Sequence, residues 1–88
     1  MTYKLSIIIH CFNEVTTIEE LLQKVVNAPV ENKEIIVIDD CSTDGTRELI
    51  YNKLKGSIDN LILLKTNRGK GAALRCGIEN ASGDYIII

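Results

Sequence analysis

Short β-branched apolar runs alternate along this chain with stretches whose apolar residues recur every three or four positions. Residues 4–9 are the first such run, short and rich in isoleucine, as expected of a strand covered on both faces. Thr16 and Thr17 precede Glu19 and Glu20 in two overlapping capping-box frames, and Ile18, Leu21, Leu22, Val25 and Val26 then follow at helical spacing. That helix ends near Ala28 and Pro29. Residues 34–38 form a second apolar run, which stops at Asp39-Asp40 and is followed by a turn and helix-capping cluster, Ser42-Thr43-Asp44-Gly45. Leu49, Ile50 and Leu54 share one face of a second helix that stops near Gly56. A third strand covers residues 61–64, a polar glycine-containing loop residues 67–71, and a third helix residues 72–81 with Leu74, Ile78 and Ala81 on one side. After the turn Ser82-Gly83-Asp84, residues 85–88 begin a fourth strand.

The order βαβαβαβ predicts an α/β fold of Rossmann-like type, with a parallel sheet, right-handed crossovers and helices on both faces. A length of 88 residues leaves room for one domain. Composition changes this picture little: 45% apolar and 25% charged residues of mixed sign are those of an ordinary globular protein. A net charge of -2 without any basic run argues against nucleic acid as a partner, because that binding needs several Lys or Arg on phosphates. No stretch reaches the roughly 18 to 20 apolar residues that span a bilayer, and the N-terminus lacks a signal-peptide run, so a cytoplasmic location is expected. Cys11, Cys41 and Cys76 are odd in number and form no C-x-x-C pair, which suits buried or partly buried thiols in a reducing compartment; a metal site of His10, Cys11, Cys41 and nearby carboxylates is the minor alternative.

Open parallel sheets bind ligands beyond the carboxyl ends of their strands, near the point where strand order reverses. Three loops qualify here: residues 10–14, residues 39–45 and residues 67–71. Adjacent desolvated acids repel, so Asp39 and Asp40 require donors, a cation or solvent. A nucleoside supplies donors through a base N–H and ribose hydroxyls, and capping of the following turn is the structural alternative. Phe12 offers a flat face to a base, or simply packs; Glu14 accepts from base or ribose, or favours the first helical turn. Arg68 and Lys70, interleaved with Gly69 and Gly71 directly before a helix, suit a phosphate, or simply form a solvated loop with glycine for turn geometry. The stretch is neither a P-loop nor a dinucleotide fingerprint, since it lacks both glycine spacings.

Together these loops resemble the family 2 glycosyltransferases of the GT-A fold over essentially the whole chain. The resemblance rests on Ser6-Ile7-Ile8-Ile9 leading to Phe12-Asn13-Glu14, on Val37 through Thr46, on Asn67 through Arg75, and on Ala81-Ser82-Gly83-Asp84-Tyr85-Ile86. The third stretch is most similar to the branch of dolichyl-phosphate mannose and polyprenyl-phosphate glucose synthases. The resemblance implies a UDP- or GDP-sugar donor, inversion at the sugar carbon, and a polyprenyl phosphate or glycan acceptor. It implies Mg or Mn held by an Asp-x-Asp motif after the fourth strand, so residues 1–88 read as the nucleotide-binding half of a GT-A domain, ending before that motif. It also implies that Asp40 contacts the base, that Phe12, Glu14 and Asp39 help position the nucleoside, and that Arg68 or Lys70 assists at the diphosphate.

The catalytic base and the metal ligands are expected in the later half, none of them among these residues, so this stretch alone is expected to be inactive and to self-associate through its fourth strand. A parent protein associated with the membrane through later segments fits the same resemblance. His10 departs from the proline or small residue usual in the family, and Cys41 from the usual glycine. Two other classes compete. A non-catalytic nucleotide-binding module would share these loops, and a receiver-like phosphoacceptor domain would need an aspartate where the chain has Asn67.

Overall fold

The structure, a computed structural model, describes residues 3–88. Strands β1 (Leu5–Cys11), β2 (Lys33–Asp39), β3 (Asn60–Leu63) and β4 (Tyr85–Ile87) form one sheet in the order β3-β2-β1-β4. All three pairings are parallel, with Ile9 opposite Val37, Val37 opposite Leu61 and Leu5 opposite Tyr85. Helices α1 (Ile18–Asn27), α2 (Thr46–Leu49) and α3 (Lys70–Glu79) fill the crossovers, α2 continuing through a π-helical turn over Ile50–Leu54 and a 3-10 turn over Lys55–Ser57. The expected α/β fold with βαβαβαβ order is therefore present.

Pleating sends successive strand residues to opposite faces, and both faces of the central strands are covered. Ile9, Cys11, Ile35 and Val37 pack with Ile18 and Leu22 of α1 and with Ile50 and Leu54 after α2. Ile8, Ile36 and Ile38 pack on the other face with Ala73 of α3 and Leu64. This two-sided burial is why both runs read as continuous isoleucine and valine.

Several boundaries and faces differ from the sequence expectation. β1 extends two residues further, through His10 to Cys11, because Cys11 pairs with Asp39 on β2. α3 starts at Lys70, so Lys70 and Gly71 belong to its first turn rather than to the loop. Neither capping box forms: no side chain caps α1, and Thr17 donates its hydroxyl to Glu14 at 3.0 Å instead. The buried line of α3 is Ala73 and Gly77, flanked by partly buried Leu74, Cys76 and Ala81, while Ile78 is exposed. The helix lies too close to the sheet for larger residues. A Cβ on Gly77 would stand 2.7 Å from both Ile38 Cδ1 and Ile8 Cγ2.

A polar latch at the amino end of the sheet sets where β4 enters. Ser6 and Glu34 lie opposite one another in register, and the Ser6 hydroxyl donates to the Glu34 carboxylate. Glu34 also accepts from the Ser82 amide at 2.6 Å and the Ser82 hydroxyl at 3.0 Å, while Gly83 N–H donates to Ser6 Oγ at 2.8 Å. A Cβ on Gly83 would fall 2.8 Å from the Lys4 carbonyl, so the predicted turn needs glycine for close approach rather than for backbone freedom.

Gly77→Ala is expected to destabilise the fold by about 1 to 3 kcal/mol through overpacking. Gly71→Ala, at a helical position with open space around it, should stabilise by about 0.5 to 1 kcal/mol. Urea unfolding of both variants checks this pair, and equal shifts for the two would count against the close approach of α3.

Candidate functional site

Strand order reverses between β1 and β4, since β2 and β3 lie on one side of β1 and β4 on the other. The crevice expected at such a switch point is present. It is a cleft of about 600 Å³ whose polar lining is His10, Glu14 and Lys70, on an apolar floor that includes Ile9, Leu74 and Ile87. A second hollow of about 440 Å³, between Tyr3, Pro29, Val30 and Tyr85, sits at the amino ends of the strands and away from the three loops.

The first two loops are knitted together by their own polar groups. The Asn13 amide donates to Ser42 Oγ at 2.9 Å, the Glu14 amide to Thr46 Oγ1 at 2.8 Å, and the Val15 amide to Asp44 Oδ2 at 3.2 Å. In return the Thr43 amide donates to Asn13 Oδ1 at 2.8 Å. Turning these loops places Asn13 and Cys41 at φ 54° and 63°. Asparagine tolerates that left-handed region, whereas a cysteine there carries a steric cost that glycine avoids. Gly45, at φ 100°, starts α2.

Asp39 and Asp40 are both buried, at 0% and 1% exposure, yet they do not share an environment. Alternation along the backbone sends them to opposite faces. Asp39 turns toward α2, where it accepts from the Ser42 hydroxyl at 2.7 Å and the Ser42 amide at 3.1 Å. Arg47 Nε lies 3.1 Å from its Oδ2 and makes no aligned hydrogen bond, so this contact is one of charge. The same guanidinium donates from Nη2 to the Leu64 carbonyl at 2.6 Å, joining β2 to the end of β3.

Asp40 turns toward α3. Its Oδ1 accepts from the Arg68 amide at 2.8 Å, and its Oδ2 from the Gly69 amide at 2.9 Å. His10 Nε2 stands 3.4 Å from that same Oδ2.

The six residues singled out from the sequence thus take different places. Glu14 and Lys70 both line the cleft, whereas Asp39 and Asp40 lie beneath the loops with their carboxylates already engaged. Phe12, 39% exposed, and the exposed Arg68 stand on the same end of the sheet but outside the cleft lining. His10, which the sequence offered only as a metal ligand, stands instead beside Asp40, and nothing in the sequence reading singled out Arg47. An arginine directly after a D-D-x-S-T-D-G-T stretch was the available signal for Arg47, since buried acids need partners.

Burial pulls the Asp40 pKa upward, but hydrogen bonds from the Arg68 amide, His10 and the Gly69 amide outweigh it and hold the carboxyl below its ordinary value. Glu34 is likewise lowered against desolvation, by Ser6 and Ser82. Cys11 moves the other way: burial first, then the charges of Asp39 and Glu14, push its thiol up to about 12, so it stays a protonated, unreactive core group. Among the described residues no three His, Cys, Asp or Glu side chains converge as a metal site.

Because Asp40 and Glu34 have lowered folded values, their contribution to stability is fully present above the unfolded carboxyl value of about 4 and is lost as pH falls through the folded values. Unfolding free energy should therefore fall between pH 5 and pH 2, on the order of the carboxyl titration range. Asp40→Asn should flatten part of that slope in urea melts. An unchanged slope would show that the carboxylate is not held in its charged form.

Residues 6–88 match Glycosyl transferase family 2. The chain is 45% identical over 84 residues to the poly-beta-1,6-N-acetyl-D-glucosamine synthase of Staphylococcus aureus, covering 94% of this chain and 20% of that protein. It is 39% identical over 83 residues to the synthase of the same name from Staphylococcus epidermidis, again with 94% and 20% covered. It therefore spans about a fifth of the length of these curated relatives. Among solved structures, S. aureus TarS 1-349 in complex with UDP-GlcNAc superposes with a TM-score of 0.84 at 28% identity, over 96% of this chain and 25% of that one. The mannosyltransferase PcManGT from Pyrobaculum calidifontis, in complex with GDP-Man and Mn2+, gives 0.79 at 29% identity, over 99% and 27%. With that match running through β1, all three loops and β4, the chain belongs to glycosyl transferase family 2 and carries the strand order of the GT-A fold.

Proposed function

We propose that this chain is the donor-binding part of a glycosyltransferase that moves a sugar from a nucleoside diphosphate to a glycan acceptor with inversion. The observation that carries the proposal is the cleft at the strand-order reversal, lined by a carboxylate, Glu14, and by a cation, Lys70, at the first turn of α3. Sugar nucleotides are recognised by that chemistry: hydroxyl and N–H donors at one end and a diphosphate at the other. The identity with poly-N-acetylglucosamine synthases and the likeness to a UDP-GlcNAc complex favour UDP-N-acetylglucosamine as donor and a growing polysaccharide as acceptor.

In this reading Glu14 and Phe12 flank the nucleoside, and Lys70 and Arg68 balance the diphosphate charge. Asp39 and Asp40 act from beneath, because both are buried under the loops and their carboxylates already accept from donors of the chain itself. The acceptor hydroxyl attacks the anomeric carbon as the bond to the departing diphosphate breaks. No residue of this chain is assigned as the base. A divalent cation, when bound, neutralises charge on the leaving diphosphate. The described residues do not fit as its ligands, since both buried acids are committed to donors of the chain itself.

In the full-length protein, Lys70→Ala and Glu14→Ala are each expected to weaken UDP binding about tenfold in calorimetry, with little change in melting temperature. Unchanged affinity in both variants would remove the cleft from the nucleotide site. Residues 1–88 purified alone are expected to turn over no sugar and to self-associate, because β4 pairs on one edge only and Tyr85, Ile86, Ile87 and Ile88 are exposed. Sugar transfer by that fragment, or a monomer by light scattering at high concentration, would contradict this.

A further inference from the structure

His10 is the one histidine of the chain, and it has no role in the reading above. It occupies the penultimate position of β1, pleated to the same side of the sheet as Ser6 and Ile8 and therefore toward α3. Its side chain is 17% exposed, lines the cleft, and brings Nε2 to 3.4 Å from Asp40 Oδ2. With the proton on Nε2, the ring donates to the carboxylate. Asp40 itself lies one residue past β2 and is held there by its own amide, which donates to the Cys11 carbonyl at 2.8 Å. A carboxylate anchored on two strands then receives the amides of Arg68 and Gly69, one on each oxygen.

Those two amides belong to the residues directly before α3. Gly69, the N-cap of the helix, sits at φ 88° and ψ 161°, and no side chain caps the helix. Asn67 Oδ1 also accepts from the Gly69 amide at 3.1 Å, which tightens the loop locally without tying it to the sheet. The hydrogen bonds that tie this loop to the strand ends therefore converge on one carboxylate, and Lys70 follows immediately.

We propose that His10 and Asp40 form a positioning pair: His10 fixes the rotamer of Asp40, and Asp40 fixes the loop that aims Arg68, Lys70 and the first turn of α3 at the donor diphosphate. The part concerning the diphosphate rests on the glycosyltransferase reading; the tether itself does not. The pair makes no contact with the reacting atoms. Its effect is on where the cations stand, so it acts on donor binding more than on the chemical step. Phenylalanine at position 10 keeps a ring and loses the donor, while glutamine keeps a donor at similar reach.

The test measures amide hydrogen exchange of Arg68 and Gly69 in the ligand-free full-length protein, with donor KM and kcat determined on the same variants. His10→Phe is expected to speed exchange at those two amides about five- to tenfold, and Asp40→Asn by at least about tenfold, with the β1 and β2 amides unchanged. His10→Phe should raise donor KM by a similar factor and leave kcat within about threefold, and His10→Gln should restore both readouts. Exchange at Arg68 and Gly69 that does not respond to His10→Phe would overturn the pair. So would a His10→Gln variant as impaired as His10→Phe, since a donor returned to that position would then restore nothing. Faster exchange with no nucleotide-sugar binding in any form of the protein would uphold the tether and refute the glycosyltransferase reading, which keeps the two failures distinct.

Discussion

The burial of β2 on both faces is the constraint from which the rest of this structure follows. From Ile35 to Asp40 every residue of that segment is buried, and the pleat assigns them alternately to the α1 and α2 side and to the α3 side. The alternation persists to the end of the strand, where the side chains change from apolar to acidic. Two carboxylates that would repel in a shared pocket are thereby given separate ones. Each is then satisfied from a different direction, Asp39 by Ser42 and Arg47 and Asp40 by loop amides and His10. Buried charge without such donors would cost several kcal/mol, so the acids oblige the loops to fold onto the strand end.

Seen this way, the polar carboxyl end of the sheet is organised from the inside outward. Asp39 holds the second loop through Ser42 and reaches the end of β3 through Arg47. Ser42, Asp44 and Thr46 in turn hold the first loop by its successive amides, from Asn13 to Val15. Asp40 holds the third loop. The exposed side chains, Phe12, Glu14, Arg68 and Lys70, stand on a surface whose backbone is already determined. Preorganisation of this kind lets a site bind without ordering its own loops each time.

The Glu34 latch performs the matching task at the amino end. It brings the turn at Gly83 against Ser6 and so delivers β4 to the far side of β1 from β2. That placement creates the strand-order reversal, and with it the cleft. The tight seat of α3 over Ile8 and Ile38, permitted by Gly77, sets how far Lys70 stands from the strand ends.

The amino-acid sequence by itself determined the order of elements, the parallel sheet with helices on both faces, and which three loops gather at one end. These rest on period and composition: β-branched runs, helical spacing, and polar clusters at strand ends all act over a few residues. The place of Glu14 and Lys70 at that end of the sheet was legible for the same reason, and so was the need of Asp39 and Asp40 for donors. Only the tertiary structure decided what those donors are. The partners of Asp40 are backbone amides 28 and 29 residues away, and an amide at Arg68 or Gly69 looks like any other in a sequence. Ile78 followed the same rule, since helical spacing alone placed it inward while the approach of α3 at Gly77 left it exposed. His10, which breaks the expected pattern at its position, acquired a role only when the register of β1 against β2 brought its ring over a buried carboxylate.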